Sequence, residues 1–316
     1  MSKKNKEIIY NDFKPDFSIL INIFPELKKY IKEKKEKKEK DEINEFTFDW
    51  SNNNLSLLMT KCILNYYFDI KYYSIPNNFL IPPVPSRLNY LNTINTLLTS
   101  YNALNNNNKQ NNVIGIDIGT GANLIYPLLG YSLYKWIFIC SEINNDAYEN
   151  AKTIIDNNKL EEKIKLIKQK YKDLIFVGVI NKEKKYFFSM CNPPYYDYEE
   201  EIKKEDKNRD CQYNFDEIYY KNGEIGFFDE YFEESICYKK NVFLFTILIG
   251  KKTNVQILLD KISNDKNIKF YDMKRIQTGN NMRYIIYWSF FNNFKEFNEC
   301  ILFSKEYYNF IPIIEE

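Results

Sequence analysis

The chain has 316 residues, 44% of them hydrophobic, and a formal net charge of +1 at pH 7. That is enough length for one large domain with extensions, and too little charge for a global field that gathers nucleic acid, so any such contact must come from local patches. There is no histidine, and the six cysteines form no Cys-x-x-Cys pair; this excludes imidazole bases, His-dependent triads, His-ligated zinc and redox dithiols, and leaves reduced intracellular thiols as the expectation.

Residues 1–50 read as a basic, partly flexible extension. Lys3, Lys4, Lys6 and Lys14 alternate with Tyr10, Phe13 and Phe17, a mixture of cations and rings suited to RNA. No apolar segment follows the first lysines, so they do not form a secretory signal, and no run approaches the roughly 18 residues that span a bilayer. The charge run from Lys28 to Lys40, broken by Glu33, Glu36 and Glu39, predicts a solvated helix. Residues 51–110 form a helical lead-in. Asn53 or Asn54 is placed to cap a helix carrying Leu55, Leu58, Cys62 and Ile63. Pro76, Pro82, Pro83 and Pro85 impose an extended path. A second helix opens at Arg87 with Leu88, Leu91, Ile94 and Leu98 at helical spacing, and Asn105 to Asn112 is a polar loop.

Residues 111–316 alternate strand and helix. Strands are expected at 113–118, 136–140, 164–167, 186–190, 242–249, 268–273 and 284–291. Helices are expected at 124–129, 144–158, 227–237 and 253–263, and 197–222 is charged and without a period. The alternation predicts an α/β fold, a mainly parallel seven-stranded sheet with helices on both faces, joined to a mostly helical N-terminal extension.

Two strand ends carry chemistry. After the first, Asp117-Ile118-Gly119-Thr120-Gly121-Ala122 supplies a carboxylate at the strand end, placed to accept from backbone N–H groups or a ligand amine, and two glycines that turn the backbone and let a ligand approach closely. Glu142 ends the next strand, where a carboxylate accepts from ribose hydroxyls. Leu124 occupies the third glycine position of a dinucleotide fingerprint, so a nucleoside without phosphates, S-adenosylmethionine, is the expected cofactor. After the fourth strand comes Asn192-Pro193-Pro194-Tyr195. The prolines fix the backbone, Asn192 offers a side-chain acceptor, and Tyr195 offers a flat face. A rigid turn closing the strand is the simpler reading of the tetrapeptide alone; together with the glycine loop it predicts methyl transfer to an amine nitrogen.

Several stretches resemble the methyltransferase-like protein 16 family, which includes the bacterial 23S ribosomal RNA adenine-N6 methyltransferase F. These are Leu80 to Tyr90 with its Pro85-Ser86-Arg87-Leu88-Asn89-Tyr90, Gly115 to Ala122, Ile125 to Gly130, Cys191 to Tyr195, Ile249 to Lys252, Gln277 to Tyr284, and Trp288 to Phe290. The resemblance implies a Rossmann-like class I methyltransferase that makes N6-methyladenosine in structured RNA. It implies that Arg87 pairs with the methionine carboxylate of the cofactor, that Gly119 lies against it and that Glu142 holds its ribose. Asn123 stands where the family often has Ser, and Asp173 where vertebrate members have Thr near the adenine. Tyr195 stands where Phe is frequent. The C-terminal RNA-binding region of vertebrate members has no counterpart before residue 316.

Adenine N6 is a poor nucleophile because its lone pair is delocalised. Asn192 Oδ1 and the Pro193 carbonyl are expected to accept its hydrogens and aim the lone pair at the methyl, with Tyr195 stacking on the base. An unpaired or bulged adenosine is the expected target. Lys251, Lys252 and Arg283 join the N-terminal lysines as RNA contacts. A monomer in the nucleus or cytoplasm, without membrane or metal, completes the expectation. A protein glutamine-N5 methyltransferase and a non-catalytic RNA-binding module are the alternatives.

Overall fold

The computed structural model describes residues 13–33, 46–104, 113–170, 174–197, 215–278 and 281–302. Lys3, Lys4, Lys6 and Asp173 therefore lie outside the described residues.

Helix α1, Phe17–Ile23, starts at Asp16, whose carboxylate accepts the Ile19 N–H at 3.1 Å. Residues 28–33 do not form the expected solvated helix, and the rest of that charge run, 34–40, lies outside the described residues. Pro25–Tyr30 is a 3-10 turn that buries Leu27 completely, and Ile31–Glu33 is a short strand paired antiparallel with Phe46–Phe48. Proline at its first position favours the tight turn, and strand pairing then takes the apolar Ile31 that a helix would have left wet. Helix α2, Asn53–Phe68, is capped by Asn52, whose Oδ1 accepts from the Asn54 and Leu55 N–H groups. The cap thus sits one residue before the expected position. Helix α3, Val84–Ser100, begins earlier than Arg87, because Pro85 fits a first turn where no N–H is needed.

Seven strands form the central sheet: β1 Ile114–Ile118, β2 Ile137–Glu142, β3 Ile164–Lys168, β4 Tyr186–Cys191, β5 Val242–Ile249, β6 Phe270–Thr278 and β7 Asn281–Ser289. Their order is β6-β7-β5-β4-β1-β2-β3, and β7 alone runs opposite to the other six. Helices α4 (Ile125–Tyr134), α5 (Asn145–Asn158), α6 (Gly223–Cys237) and α7 (Lys252–Ser263) connect the strands, and α8 (Phe294–Glu299) comes after β7. β5 is buried along its whole length, as its unbroken apolar run requires. The last two strands form one longer hairpin than expected, because β6 carries the polar residues Lys274, Arg275 and Gln277 at the sheet edge.

Gly115 sets the alignment of β1 and β4. It pairs with Phe188, and a Cβ there would meet the Phe188 ring at 2.2 Å. The ring therefore fills the space the missing side chain leaves. Ile118 pairs with both Ser141 and Cys191, so β1, β2 and β4 end together at one edge of the sheet. One buried apolar cluster runs from Phe13 in the extension to Phe297 in α8. The extension and the sheet share a core.

Candidate active site

A cavity of about 300 Å³ opens where β1, β2 and β4 end. Gly119 and Gly121 line it, with φ of 65° and 68°, in the left-handed region that glycine enters without a side-chain clash. Leu124 also adopts a positive φ, 48°, just ahead of α4. A fully buried leucine is held there at a cost of about 1–2 kcal/mol.

Glu142 ties the loop together. Its Oε2 accepts the Gly121 N–H at 2.8 Å and its Oε1 accepts the Asn144 N–H at 2.7 Å. Burial pushes its carboxyl upward, and these backbone donors oppose the shift. Each oxygen keeps a further lone pair for a ligand hydroxyl. Asn123 lines the cavity while its Oδ1 accepts the Ile125 N–H at 3.2 Å. Asp117 stands behind the glycine loop and is not part of the cavity wall. Its Oδ2 accepts from Thr120 Oγ1 at 2.7 Å, while burial and, more weakly, the Glu142 charge hold its carboxyl at about 7.

Arg87 enters from α3. Its guanidinium lies 5.7 Å from the centre of the Tyr126 ring, and no carboxylate pairs with it among the described residues. The Tyr126 hydroxyl is buried without a hydrogen-bond partner of normal geometry. A guanidinium that faces a phenol and no anion has donors to offer a ligand carboxylate.

On the other side Asn192, Pro193 and Pro194 form the wall. The Tyr195 hydroxyl donates to Asn192 Oδ1 and so fixes the amide, leaving the oxygen its second lone pair. The Tyr195 ring does not line the cavity. It packs against Gly250, where a Cβ would come within 2.9 Å of it, and the Arg283 guanidinium sits 5.4 Å from its centre. Lys251 stands 5.9 Å over the ring of Tyr196. Lys252 and Lys14 are exposed, at the start of α7 and ahead of α1.

Below this wall lies a polar network that sequence reasoning missed. Tyr90 Oη bonds Thr246 Oγ1 at 2.8 Å, Thr246 Oγ1 donates to the Ser189 carbonyl at 2.9 Å, and Tyr231 Oη meets Ser189 Oγ and donates to the Thr246 carbonyl at 3.2 Å. It bolts α3 and α6 to β4 and β5 just before Asn192. Asn89 adds a link from α3 to the Gln277 carbonyl in β6 at 2.9 Å. Gln169, Leu174 and Glu217 also line the cavity. Gln169 directly follows β3, so its place at a strand end was the available signal. Glu217 comes from a charged, aperiodic tract that carried none.

A glycine loop, the Glu142 carboxylate and Asn-Pro-Pro at adjacent strand ends of this sheet order give the architecture of a Rossmann-like methyltransferase. The particular kind emerges from comparison. The chain belongs to a family described as RNA methyltransferase, whose profile spans residues 7–292. Ribosomal RNA large subunit methyltransferase F of Flavobacterium johnsoniae is 36% identical over 301 residues, covering 88% of this chain and 90% of that protein. The U6 small nuclear RNA (adenine-(43)-N(6))-methyltransferase of Schizosaccharomyces pombe is 33% identical over 245 residues, covering 77% and 62%. The N-terminal domain of human METTL16, solved in complex with SAH, superposes with a TM-score of 0.71 at 26% identity, covering 92% of this chain and 99% of that one. Its catalytic domain solved with the MAT2A 3'UTR hairpin 1 gives 0.73 at 26% identity, covering 92% and 96%.

Proposed function

We propose that this RNA methyltransferase transfers the methyl of S-adenosylmethionine to N6 of an unpaired or bulged adenosine in structured RNA. The observation that carries the reading is the flush ending of β1, β2 and β4, which puts Gly119, Glu142 and Asn192 on one cavity. The residues fit the donor. Arg87 takes its carboxylate, Glu142 its ribose, and Gly119 and Gly121 admit it closely, with Asn123 beside them. Asp117 shapes the loop from behind through Thr120, and Asp173 is assigned to the adenine end.

When bound, the donor supplies an activated methyl on a sulfonium. The chain's own groups prepare the acceptor. Asn192 Oδ1 and the Pro193 carbonyl each accept one N6 hydrogen, which pulls the nitrogen toward a tetrahedral shape and turns its lone pair into the cavity. Pro193 and Pro194 hold those acceptors still, since neither can rotate about φ. Tyr195 holds Asn192 through its hydroxyl. Its ring becomes the stacking face for the purine when Arg283 leaves it for a phosphate. The proton departs late, to solvent, and no strong base is needed.

RNA contacts fall to Arg283, Lys251 and Lys252 around the Asn-Pro-Pro-Tyr turn, and to Lys3, Lys4, Lys6 and Lys14 in the extension, residues 1–50. The test is transfer of labelled methyl from the donor to a hairpin with a single bulged adenosine, followed by nucleoside analysis. Wild type yields N6-methyladenosine. Asn192→Ala loses at least about a hundredfold in turnover, the scale of one removed transition-state hydrogen bond, with donor affinity unchanged. Retained turnover in that variant would falsify the role given to Asn192.

A further inference from the structure

The cavity holds a second carboxylate that neither the glycine loop nor the Asn-Pro-Pro wall provides. Glu217 lies in the short helical turn Phe215–Ile218, between the Asn-Pro-Pro-Tyr stretch and α6. Its Oε2 accepts the Leu80 N–H at 3.1 Å, which fastens this turn to the proline-rich strap ahead of α3. Its Oε1 lies 3.5 Å from the point where a side chain on Gly121 would begin. The carboxylate therefore reaches the same Gly121 whose N–H Glu142 accepts. Both carboxylates line the same cavity. The Leu80 N–H would be satisfied as well by an amide oxygen, so fastening the turn does not by itself require a charge.

The charges around Glu217 come from several elements. Glu142 stands at the end of β2, with Lys168 from β3 attracted to it, and Asp117 lies buried behind the loop. Arg87 enters from α3, and Lys221 and Glu230 line the cavity near the start of α6 and within it. The phenols of Tyr126, Tyr219 and Tyr220 complete the wall, and Tyr220 donates to Glu230. Burial, reinforced by the Glu142 charge and opposed by the Leu80 N–H, brings the Glu217 carboxyl up to about 7. A carboxylate kept among other carboxylates in a partly dry cavity is poised to gain its charge when a cation arrives.

The reaction's two cofactor forms differ in that respect. The methyl donor carries a sulfonium; the demethylated product carries a neutral thioether and is otherwise the same. We propose that Glu217 is a charge-selecting residue, whose carboxylate favours the cationic donor over its demethylated product and gives up a proton when the donor binds. The step balances as neutral Glu217 plus donor going to ionised Glu217 with bound donor, and one proton to the buffer. The inference rests on the reading that S-adenosylmethionine is the donor. It gives Glu217 the task of clearing spent product from a cavity that both forms fit.

The test is isothermal titration of the full chain with S-adenosylmethionine and with S-adenosylhomocysteine. It is run at pH 6.5 in two buffers of different ionisation enthalpy, and repeated at pH 8. Wild type is expected to release protons at pH 6.5 on binding donor and fewer on binding product, and its preference for donor should rise toward pH 8. Glu217→Gln keeps an acceptor for Leu80. It should bind donor about tenfold more weakly, the equivalent of one unit of pKa coupling, with product affinity unchanged and donor-linked proton release lost. Equal weakening toward both ligands would show a purely structural residue and overturn the proposal. Undiminished proton release would do the same by assigning the proton to Asp117 or Glu142. Wild type that binds neither ligand would overturn the donor reading itself and this inference with it, whereas wild type that binds both without preference overturns this inference alone.

Discussion

Single residues do unequal work at this site, and their environments say which. Asp117 is buried, bonded to Thr120 and held at about 7 by desolvation. A folded-state value raised above the unfolded 3.8 means the native form holds the proton longer. Stability from this group is complete below the unfolded value and drains away as pH climbs through about 7. Asp117→Asn, which keeps an acceptor for Thr120, should therefore gain stability at pH 8 relative to wild type and gain nothing at pH 4. Urea midpoints at the two pH values measure this. Asn192, Arg87 and Glu142 stood out in the sequence because each lies in a short motif or at the end of an apolar run. Glu217 did not, because a four-residue turn held by contacts to distant parts of the chain leaves no period to read. Tyr195 was legible as a flat ring but not as the partner of Asn192, since its hydroxyl acts through a fold the tetrapeptide does not encode.

At the level of elements, the strands were plain wherever burial on both sides forces a continuous apolar run, as in β1, β4 and β5. The boundaries of β6 and β7 were not, because an edge strand tolerates Lys274, Arg275 and Gln277 and loses its pattern. The start of the Lys28 run, residues 28–33, misled for a related reason: charge spacing reports a wet face in any element, and Pro25 with the buried Leu27 decided for a tight turn. The joint between α3, α6 and the sheet is likewise invisible in sequence, being four hydroxyl-bearing side chains from four elements. Thr246→Val removes the shared member, so the Ser189 carbonyl loses that donor and the Tyr90 hydroxyl keeps only the Cys191 carbonyl at 3.4 Å. The expected loss is about 1–3 kcal/mol, the cost of an unsatisfied buried polar group. Denaturant titration should show it, together with a fall in turnover as Asn192 loses its support. Gly115→Ala is a harsher test of packing. Its new methyl collides with the Phe188 ring, and overpacking of this kind costs about 1–3 kcal/mol; Phe188→Leu in the same chain should recover part of it.

The whole molecule has almost no net charge, so its hold on RNA must be local and short in reach. Arg283 and Lys251 sit beside Tyr195 and Tyr196 at the mouth of the acceptor wall. Replacing either with Ala should lower the slope of log affinity against log salt by about one phosphate contact. A bulged hairpin titrated between low and moderate salt reads that slope; an unchanged value would remove the residue from the interface. The shared core between extension and sheet makes a further demand at this scale. Deleting residues 1–50 strips Phe13, Leu20, Leu27 and Phe48 from one buried cluster, so the shortened chain should melt at lower temperature as well as bind RNA less well.

The notch that Gly115 leaves for Phe188 has a consequence for how such an enzyme fails. Parallel strands can only shift past one another in whole-residue steps, and each step turns every side chain to the opposite face. The ring in its notch acts as an index pin, so donor and acceptor edges are either in line or a full notch apart. Mild heating should then leave the methylation rate on its normal temperature course until the fold gives way, and end it there abruptly.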